Sequence, residues 1–372
     1  MGSKLGVLYD YLQVKGGAEQ VALSMAGHYP DSELVISSIN ANNFDLSSSE
    51  LVNTRALQRF STISPLRVLK AINVFKHSNA YINQYDQLIY SGFYAPLAIQ
   101  QRTLGNNIYY CHTPPRYLYD LKNYYEEKLG IVGSLLLQRF SEWYRPQYED
   151  AIGQMDIVLA NSKNVQNRLK RYLNIDSIVI NPPVNIDQFR FLGQSDYYIS
   201  LARLEPYKQV DKIIEAFKLM PDKKLLITSG GSDYHRLKKL ANSANNITFT
   251  GWLQNTELAE LLGNSIASIY IAKDEDFGMS PVESQASGKP VIGMADGGLL
   301  ETVKHEETGL LINKNLVIND IIEAVDWMTP SKALGLKNRC INNAKQFGAD
   351  IFFKKMGKVY TPPPFYEGYD RQ

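Results

Sequence analysis

Two glutamates, Glu275 and Glu283, flank a short glycine-containing loop that precedes a helical pattern. A carboxylate accepts hydrogen bonds through both oxygens, so the vicinal hydroxyls of a sugar or a ribose suit it as donors. Backbone N–H groups at the start of a helix bind phosphate or hydroxyl oxygens. The pattern predicts a site for a hydroxyl-rich ligand that carries phosphate, although a capping acid and a solvated helix glutamate would share this spacing. The residues between the glutamates whose amides would contribute are Phe277, Gly278, Met279 and Ser280.

Arg203 and Lys208 follow a predicted strand in the same half of the chain. A guanidinium fork with an ammonium nearby is a good clamp for a pyrophosphate. Two exposed basic residues in a loop are also common, so the pair by itself leaves a clamp and an ordinary surface loop both open.

His112 lies in a proline-rich stretch, Cys111-His-Thr-Pro-Pro-Arg-Tyr117, at the end of another predicted strand. An imidazole there can donate to a substrate oxygen or act as an acid or base, and the alternative is a packed structural histidine. The side chains that follow mix aromatic and charged groups, which suits sugar stacking and hydroxyl binding on an acceptor side. They are Arg116, Tyr117, Tyr119 and Asp120.

Two further short motifs lie in loops. Gly16 and Gly17 separate the first predicted strand from its helix and would let the backbone approach a ligand closely. They do not form the Gly-x-Gly-x-x-Gly dinucleotide pattern. Asp274 and Asp276 flank Glu275 in an Asp-x-Asp arrangement that can hold a divalent cation on a nucleotide diphosphate, but short acidic triplets are frequent by chance.

The elements that must position these residues alternate between strand and helix. This alternation predicts an α/β fold with parallel sheets covered by helices on both faces, and ligands at the carboxyl ends of the strands. A proline-rich break at 181–187 divides the pattern into predicted domains 1–181 and 182–354. The predicted strands cover 5–9, 34–39, 87–90, 107–111 and 156–160, and then 197–201, 224–228, 247–249, 267–271 and 290–293.

Composition narrows the class of protein. The chain has 372 residues with 44% hydrophobic and 21% charged residues and a net charge of +1, which is typical of a globular protein and argues against a general nucleic-acid binder. The two cysteines, Cys111 and Cys340, build no disulfide framework, which predicts a reducing, cytoplasmic setting. We find no secretory signal and no apolar run long enough to span a membrane.

The segment 55–76 is basic and amphipathic. No acidic residue occurs between Glu50 and Asp86, whereas five basic residues are interleaved with apolar ones. Such a segment can lie on an anionic membrane surface, and an ordinary amphipathic helix with a basic outer face is the alternative.

These motifs, taken in order, resemble family 4 of the retaining glycosyltransferases. The resemblance covers nearly the whole chain, and the stretch around His112 is most similar to bacterial mannosyltransferases that build surface polysaccharides. It implies the GT-B fold, in which two Rossmann-like doubly wound domains face each other across a cleft and a last helix, here about 355–372, returns to the first domain. The chain departs from the family in Ala202, where most members have glycine before the arginine.

The resemblance also implies an activity and a set of roles. It implies transfer of a hexose with its anomeric configuration retained, with mannose from GDP-mannose favoured and a lipid-linked or polysaccharide acceptor at the inner face of a membrane. Arg203 and Lys208 would neutralise the pyrophosphate, Glu275 would hold sugar hydroxyls, and Glu283 would bind the ribose. His112 would contact the sugar near the reacting carbon, and no metal or cofactor would be needed. A UDP-sugar donor, a nucleotide-sugar epimerase and a catalytically inactive sugar-binding scaffold remain alternatives.

Overall fold

The computed structural model describes residues 4–14, 16–29, 31–44, 53–77, 79–242 and 244–359. The chain divides into two compact units, one running to Ile180 and resuming at Lys355, and the other comprising Asn181–Lys354. The part of the predicted last helix beyond residue 359 lies outside the described residues. Within the described ranges, none of the helices combines the length and apolar character that crossing a membrane requires.

The first unit contains a seven-stranded, all-parallel sheet with the order β3-β2-β1-β4-β5-β6-β7. The central strands are buried on both faces, and therefore read as nearly continuous apolar runs in the sequence. The five predicted strands of this half are confirmed, and two short edge strands, β3 and β7, add to them. The strands are β1 (Leu5–Tyr9), β2 (Ser32–Ile36), β3 (Thr54–Ala56), β4 (Gln87–Ser91), β5 (Asn106–Cys111), β6 (Ile157–Ala160) and β7 (Ile178–Val179).

The helices of this unit connect strands that all point the same way, so each helix that leads into the next strand runs antiparallel to the sheet. The N-terminal ends of α2 and α4 therefore lie toward the carboxyl edge of the sheet, and both helices pack against the 3₁₀ helix Ala95–Gln101. Helix α4 is interrupted at Gly130, where φ is 66°. The helices are α1 (Gly17–His28), α2 (Ser64–Lys76), α3 (Asn79–Ile82), α4 (Lys122–Gly153) and α5 (Lys163–Leu173).

The second unit contains a six-stranded parallel sheet with the order β10-β9-β8-β11-β12-β13. The five predicted strands of this half are confirmed, and β13 is an additional edge strand. The strands are β8 (Tyr197–Ser200), β9 (Lys224–Thr228), β10 (Ile247–Gly251), β11 (Ser268–Tyr270), β12 (Val291–Met294) and β13 (Gly309–Ile312). Its helices are α6 (Val210–Lys218), α7 (Tyr234–Leu240), α8 (Asn255–Asn264), α9 (Met279–Ala286), α10 (Leu299–Thr302), α11 (Ile318–Trp327) and α12 (Pro330–Ala344), and α13 (Ala349–Val359) runs across the boundary at Lys355 into the first unit.

Helix α9 begins earlier than the sequence pattern predicts. Pro281 was expected at the first helical position, but the helix starts at Met279, after Gly278 with φ of 91°. A left-handed backbone at this point favours glycine, and it turns the chain from the loop into the helix. Pro281 is tolerated in the first turn because the first N–H groups of a helix have no intrahelical acceptor.

Candidate functional site

The second sheet reverses its strand order between β8 and β11, which lie side by side although β9 and β10 separate them in sequence. In an open parallel sheet, a ligand crevice forms outside the carboxyl ends of the strands at such a reversal. Lys208 follows β8 and Glu275 follows β11. The fold therefore brings together two predicted site residues that are 67 positions apart in the chain.

Lys208, Tyr270 and Glu275 form one hydrogen-bonded cluster at this reversal. The Nζ of Lys208 lies 2.5 Å from the Oε2 of Glu275 and 3.0 Å from the hydroxyl of Tyr270. The Tyr270 hydroxyl lies 3.0 Å from the same carboxylate oxygen. Sequence reasoning missed Tyr270 because it stands at the end of a buried strand, where a tyrosine usually serves packing.

The cluster is charged although it is largely shielded from water. The side chains of Lys208 and Glu275 are 12% and 13% exposed. Burial opposes the ammonium charge of Lys208, but the carboxylate of Glu275 and the surrounding tyrosine oxygens outweigh it and raise the pKa of Lys208 above its usual range. Burial and the neighbouring Glu275 carboxylate raise the pKa of Tyr270, which keeps its hydroxyl protonated. The unit therefore holds a preformed ammonium–carboxylate pair.

The loop that carries Glu275 is supported by a second loop, which follows β12. The Asp296 carboxylate accepts the Asp274 N–H at 2.9 Å, and the Gly298 N–H donates to the Glu275 carbonyl at 2.7 Å. A Cβ on Gly297 would lie 2.5 Å from that carbonyl oxygen, so the two backbones meet directly. This support was not predicted, although a Gly-Gly pair after a predicted strand repeats the arrangement of Gly16 and Gly17.

The remaining residues of the predicted donor loop lie at the start of α9. The Phe277 ring is buried and packs edge-on against Phe347 at 5.5 Å, so only its backbone faces the loop chemistry. Burial raises the pKa of the Glu283 carboxyl to about 7, and a hydrogen bond with Ser280 opposes this shift. Met279 packs partly into the same apolar cluster. The roles of these residues toward a ligand stay predictions.

Arg203, the other half of the predicted clamp, is exposed in the loop after β8. Its side chain therefore differs from that of Lys208, which is held in place by the protein. In the described ranges, no group of three or more histidine, cysteine, aspartate or glutamate side chains could hold a metal ion. Metal independence stays a prediction.

The first sheet also reverses its strand order, between β1 and β4. Asp10, directly after β1, accepts backbone N–H groups from three consecutive residues after β4 at 2.7–2.8 Å, namely Phe93, Tyr94 and Ala95. Burial raises the pKa of this carboxyl to about 6, and the three N–H donors oppose the shift. Sequence reasoning missed Asp10, although an acid at the end of the first buried strand was a usable signal.

His112 lies at the carboxyl edge of the first sheet, after β5. Its Nε2 is 2.8 Å from the Ser91 hydroxyl, and its ring packs edge-on against Tyr110 and Tyr9. Burial lowers the pKa of His112 to about 4, so the imidazole is neutral at pH 7. It can exchange hydrogen bonds with a substrate oxygen, but it carries no positive charge there.

Gly16 and Gly17 open helix α1 at the same edge of the sheet. Gly16 has φ of −97° and ψ of 173°, an extended conformation that any residue adopts. Its lack of a side chain is therefore not required by the backbone angles. A close approach to a ligand, for which the pair was selected, stays a prediction.

The predicted acceptor-side residues are largely engaged with the protein itself. Arg116 and Asp120 form an ion pair, with Nε and one terminal nitrogen both within 2.8 Å of the same carboxylate oxygen. The Tyr119 ring stacks on Tyr172 at 4.8 Å, and the Arg145 guanidinium lies over it at 4.9 Å. The Tyr119 ring therefore already has protein partners, and its role in sugar stacking stays a prediction. Tyr117 likewise packs among other aromatic rings, including Phe93 and Phe140.

The basic segment 55–76 presents a different outer surface from the one predicted. Arg67 is buried, donates to the Ser61 carbonyl at 2.8 Å and lies over the rings of Tyr11 and Phe60. Arg55 pairs with Glu33, and Lys76 donates to Gln147. Three of the five basic side chains, Arg55, Arg59 and Lys70, are exposed, together with the apolar residues Ile63, Leu66 and Leu69.

The charged cluster, the exposed arginine and the supporting glycine loop all belong to one segment of the chain. Residues 184–347, nearly the whole second unit, match the family model of glycosyl transferases group 1. The second unit is a group 1 glycosyltransferase domain. The loops that hold Lys208 and Glu275 both lie inside the matched segment of this glycosyltransferase domain.

Two of three similar proteins match more of the chain than the segment 184–347. An uncharacterized glycosyltransferase of Methanocaldococcus jannaschii is 29% identical over 57% of this chain and 61% of its own length. The alpha-1,3/1,6-mannosyltransferase of Mus musculus is 24% identical over 68% of this chain and 67% of its own. A GDP-mannose-dependent phosphatidylinositol monomannoside mannosyltransferase of Mycobacterium tuberculosis is 32% identical over 33% of this chain and 35% of its own. The chain thus spans about three fifths of the archaeal relative and a third of the mycobacterial one.

Solved structures show that the glycosyltransferase domain and the first unit together make a known fold. Sucrose-phosphate synthase from Thermosynechococcus elongatus superposes with a TM-score of 0.76, at 18% identity over 96% of this chain and 98% of that one. The Anabaena protein HepE, solved with UDP and glucose, gives 0.72 at 16% identity over 96% and 99%. The chain has the two-domain GT-B fold that its motifs predicted.

Proposed function

We propose that this chain is a retaining glycosyltransferase that transfers mannose from GDP-mannose to a lipid-linked glycan. The observation that carries the proposal is the buried Lys208–Tyr270–Glu275 cluster at the strand reversal of the glycosyltransferase domain. A fixed cation beside a fixed carboxylate at this position suits a substrate that presents a phosphate and hydroxyls next to each other, as a nucleotide sugar does.

The positive charge and the carboxylate of the cluster have different roles in the proposed reaction. As the bond between the sugar and the diphosphate breaks, negative charge develops on the departing phosphate, and a preorganised cation lowers the energy of that state. Lys208 and Arg203 supply this charge, the first from a largely buried side chain and the second from an exposed one. Glu275 accepts hydrogen bonds from sugar hydroxyls, since a carboxylate has about four acceptor positions and can serve a ligand as well as Lys208 and Tyr270.

Two further groups complete the proposed roles. Glu283, one turn into α9, accepts from the ribose hydroxyls, and the amides of the first turn of that helix approach the phosphate. His112 offers a neutral imidazole to a substrate oxygen. No protein carboxylate is placed as the attacking nucleophile, so the proposed mechanism is not the paired-carboxylate scheme of glycosidases.

The choice of GDP-mannose rests on similarity. The mouse and the mycobacterial relatives are both mannosyltransferases by name, and the second is GDP-mannose-dependent. We extend that donor to this chain, and we assign a lipid-linked acceptor at a cytoplasmic membrane surface, with contact through segment 55–76. The exposed Arg59 and Lys70 support that contact because they can approach anionic lipid.

Calorimetric binding of GDP, UDP, ADP, GDP-mannose and UDP-glucose, each with and without EDTA, tests the proposal. We expect selective binding of GDP and GDP-mannose that EDTA does not alter. Selective UDP binding would keep a glycosyltransferase but exclude GDP-mannose as donor. Binding that EDTA abolishes would make Asp274 and Asp276 metal ligands, and binding of no nucleotide would favour an inactive scaffold. Conversion of the donor sugar without an acceptor would indicate an epimerase.

A further inference from the structure

The outer face of α4 is apolar just after the break at Gly130. Ile131, Val132, Leu135 and Leu136 lie on one stripe of the helix and are between 58% and 84% exposed. A helix of a globular protein normally turns its apolar stripe toward the core, so this stripe is reversed. We call these four residues the α4 stripe.

The α4 stripe lies away from the part of the helix that the core holds. Tyr144 is buried and stacks on Phe140, and Tyr148 is buried one turn further on. At 1.5 Å per residue, Leu136 and Ile131 lie roughly 12–20 Å along the axis from Tyr144. The Tyr144 hydroxyl donates to the carbonyl of Phe93, which follows β4 at the carboxyl edge, and the N-terminal end of α4 points away from the sheet there, so the stripe lies beyond that edge.

Helix α2 adds apolar residues at the same level. Both helices run antiparallel to the strands on one face of the sheet, and Lys76 near the end of α2 donates to Gln147 of α4 at 2.8 Å. This contact places Lys76 and Gln147 at the same level of the two helices. Pro65 on α2 and Leu136 on α4 each lie eleven residues before these partners, and therefore at about the same level as each other. The exposed residues around that position on α2 are Ile63, Leu66 and Leu69, which are 47–58% exposed.

These seven side chains are 47–84% exposed, and clustered exposed apolar residues mark an interaction or membrane site. We propose that the α4 stripe and the neighbouring apolar residues of α2 insert into the headgroup region of an anionic lipid bilayer. The inference deepens the proposed function and rests on it only in expecting a lipid-linked acceptor at this edge of the first unit.

Charge favours lipid as the occupant rather than a second copy of the chain. Arg59 and Lys70 are exposed beside the apolar residues of α2, and no acidic residue occurs in sequence from 51 to 85. On α4, Lys128 lies one turn before the stripe, next to the exposed Glu127, and Arg139 lies one turn after it and pairs with Glu142 at 3.2 Å, so the basic excess comes from α2. Apolar side chains bordered by lysine and arginine suit an interface where lipid tails meet anionic headgroups.

Co-sedimentation with phosphatidylcholine vesicles, with and without phosphatidylglycerol, tests this inference. The quadruple variant I131Q/V132Q/L135Q/L136Q changes only exposed positions, so folding is expected to survive. We expect it to lose at least tenfold in vesicle partitioning. The matched control L104Q/L219Q/V317Q/L334Q removes four exposed apolar side chains elsewhere and should bind as the wild type does.

The double variant R59E/K70E sharpens the charge argument. It should weaken binding to vesicles that contain phosphatidylglycerol and leave binding to pure phosphatidylcholine unchanged. Arg67 is left intact because it is buried, and replacing it would disturb the fold.

Several outcomes would overturn the inference. These are wild-type protein that binds no vesicles, a stripe variant that binds as well as the control, or a wild-type dimer that the stripe variant makes monomeric while lipid binding is unchanged. Nucleotide calorimetry on the same samples separates this question from the proposed function. Stripe-dependent lipid binding without nucleotide binding would retain the lipid surface and exclude the transferase.

Discussion

Each sheet reverses its strand order once, and each reversal is bridged by a carboxylate, but the two carboxylates are held differently. Asp10 in the first unit accepts three backbone N–H groups, whereas Glu275 in the second accepts from the side chains of Lys208 and Tyr270. Backbone donors cannot turn away without unfolding the segment that carries them. Side-chain donors can rotate toward a ligand. The same position in a common architecture thus serves structure in the first unit, and in the second it leaves a carboxylate that can serve the proposed ligand.

The two units also differ in the charge of the groups at the carboxyl edges of their sheets. The second unit holds an ammonium and a carboxylate in contact, with an exposed arginine nearby. The first unit offers a neutral imidazole at His112 and glycine backbone at the start of α1. An anionic leaving group therefore suits the second unit, and uncharged hydroxyls suit the first.

The largest expected effect separates the two carboxylates. Asp10→Ala leaves three N–H groups without their acceptor, and since a buried unpaired group costs about 1–3 kcal/mol, we expect the free energy of unfolding to fall by at least about 3 kcal/mol. Urea denaturation measures this, with Asp31→Ala, an exposed acid of the same unit, as the control. A loss below about 1 kcal/mol would contradict the structural role.

The neutral imidazole predicts a pH dependence of stability. Burial lowers the pKa of His112 from 6.5 in the unfolded chain to about 4 in the folded one, so between these values the unfolded chain binds more protons than the folded one. The contribution is full above pH 6.5 and is lost as the pH falls toward 4, by at most about 3 kcal/mol. The difference in unfolding free energy between wild type and His112→Gln should therefore shrink over this range. A difference that does not vary with pH would show that burial does not shift this group.

Removing Glu275, the carboxylate at the strand reversal of the second sheet, should lower the transfer rate more than the stability. Loss of a charged hydrogen bond costs about 1.5–3 kcal/mol, so Glu275→Ala should lower the transfer rate by about 10–150-fold. Transfer assayed with GDP-mannose measures this, with the exposed Glu260→Ala as the control. Transfer that survives within about tenfold would exclude the assigned role in holding the donor sugar.

The smallest effect concerns the residue that joins the two charges. Tyr270→Phe removes only a hydroxyl, and the loss of a hydrogen bond worth about 1 kcal/mol predicts a change of about fivefold in donor affinity. Donor calorimetry measures this, with Tyr234→Phe on α7 as the matched control. Unchanged affinity with lowered stability would show that Tyr270 serves packing alone.

Much of the fold follows from the sequence because buried parallel strands are continuous apolar runs. The strands that sequence reasoning missed, β3, β7 and β13, are edge strands of two to four residues, too short to form a pattern. The sequence pattern also predicts a helical tail from 318 to 360, and in the described part this tail forms three helices, because the chain breaks before Pro330 and again around Gly348.

The individual residues of the site were predicted from the sequence, but the contacts between them were not. Lys208 and Glu275 were identified by type and position, yet their pairing depends on β8 lying beside β11, and strand order is not written in the local pattern. Arg67 shows the opposite limit. Composition assigned it to a basic surface, but carbonyl and ring partners draw its side chain inward. Tertiary contacts of this kind override local periodicity.

The contact between the loop after β11 and the Gly297–Gly298 pair has a consequence for engineering. A Cβ on Gly298 would lie 2.4 Å from the Cα of Phe277, so neither loop can change its path while the other keeps its own. A chimera that imports residues 273–280 from a relative would therefore clash unless it also imports 294–298. The two loops are structurally coupled, and a library of variants that aims to change donor preference should therefore vary both loops together.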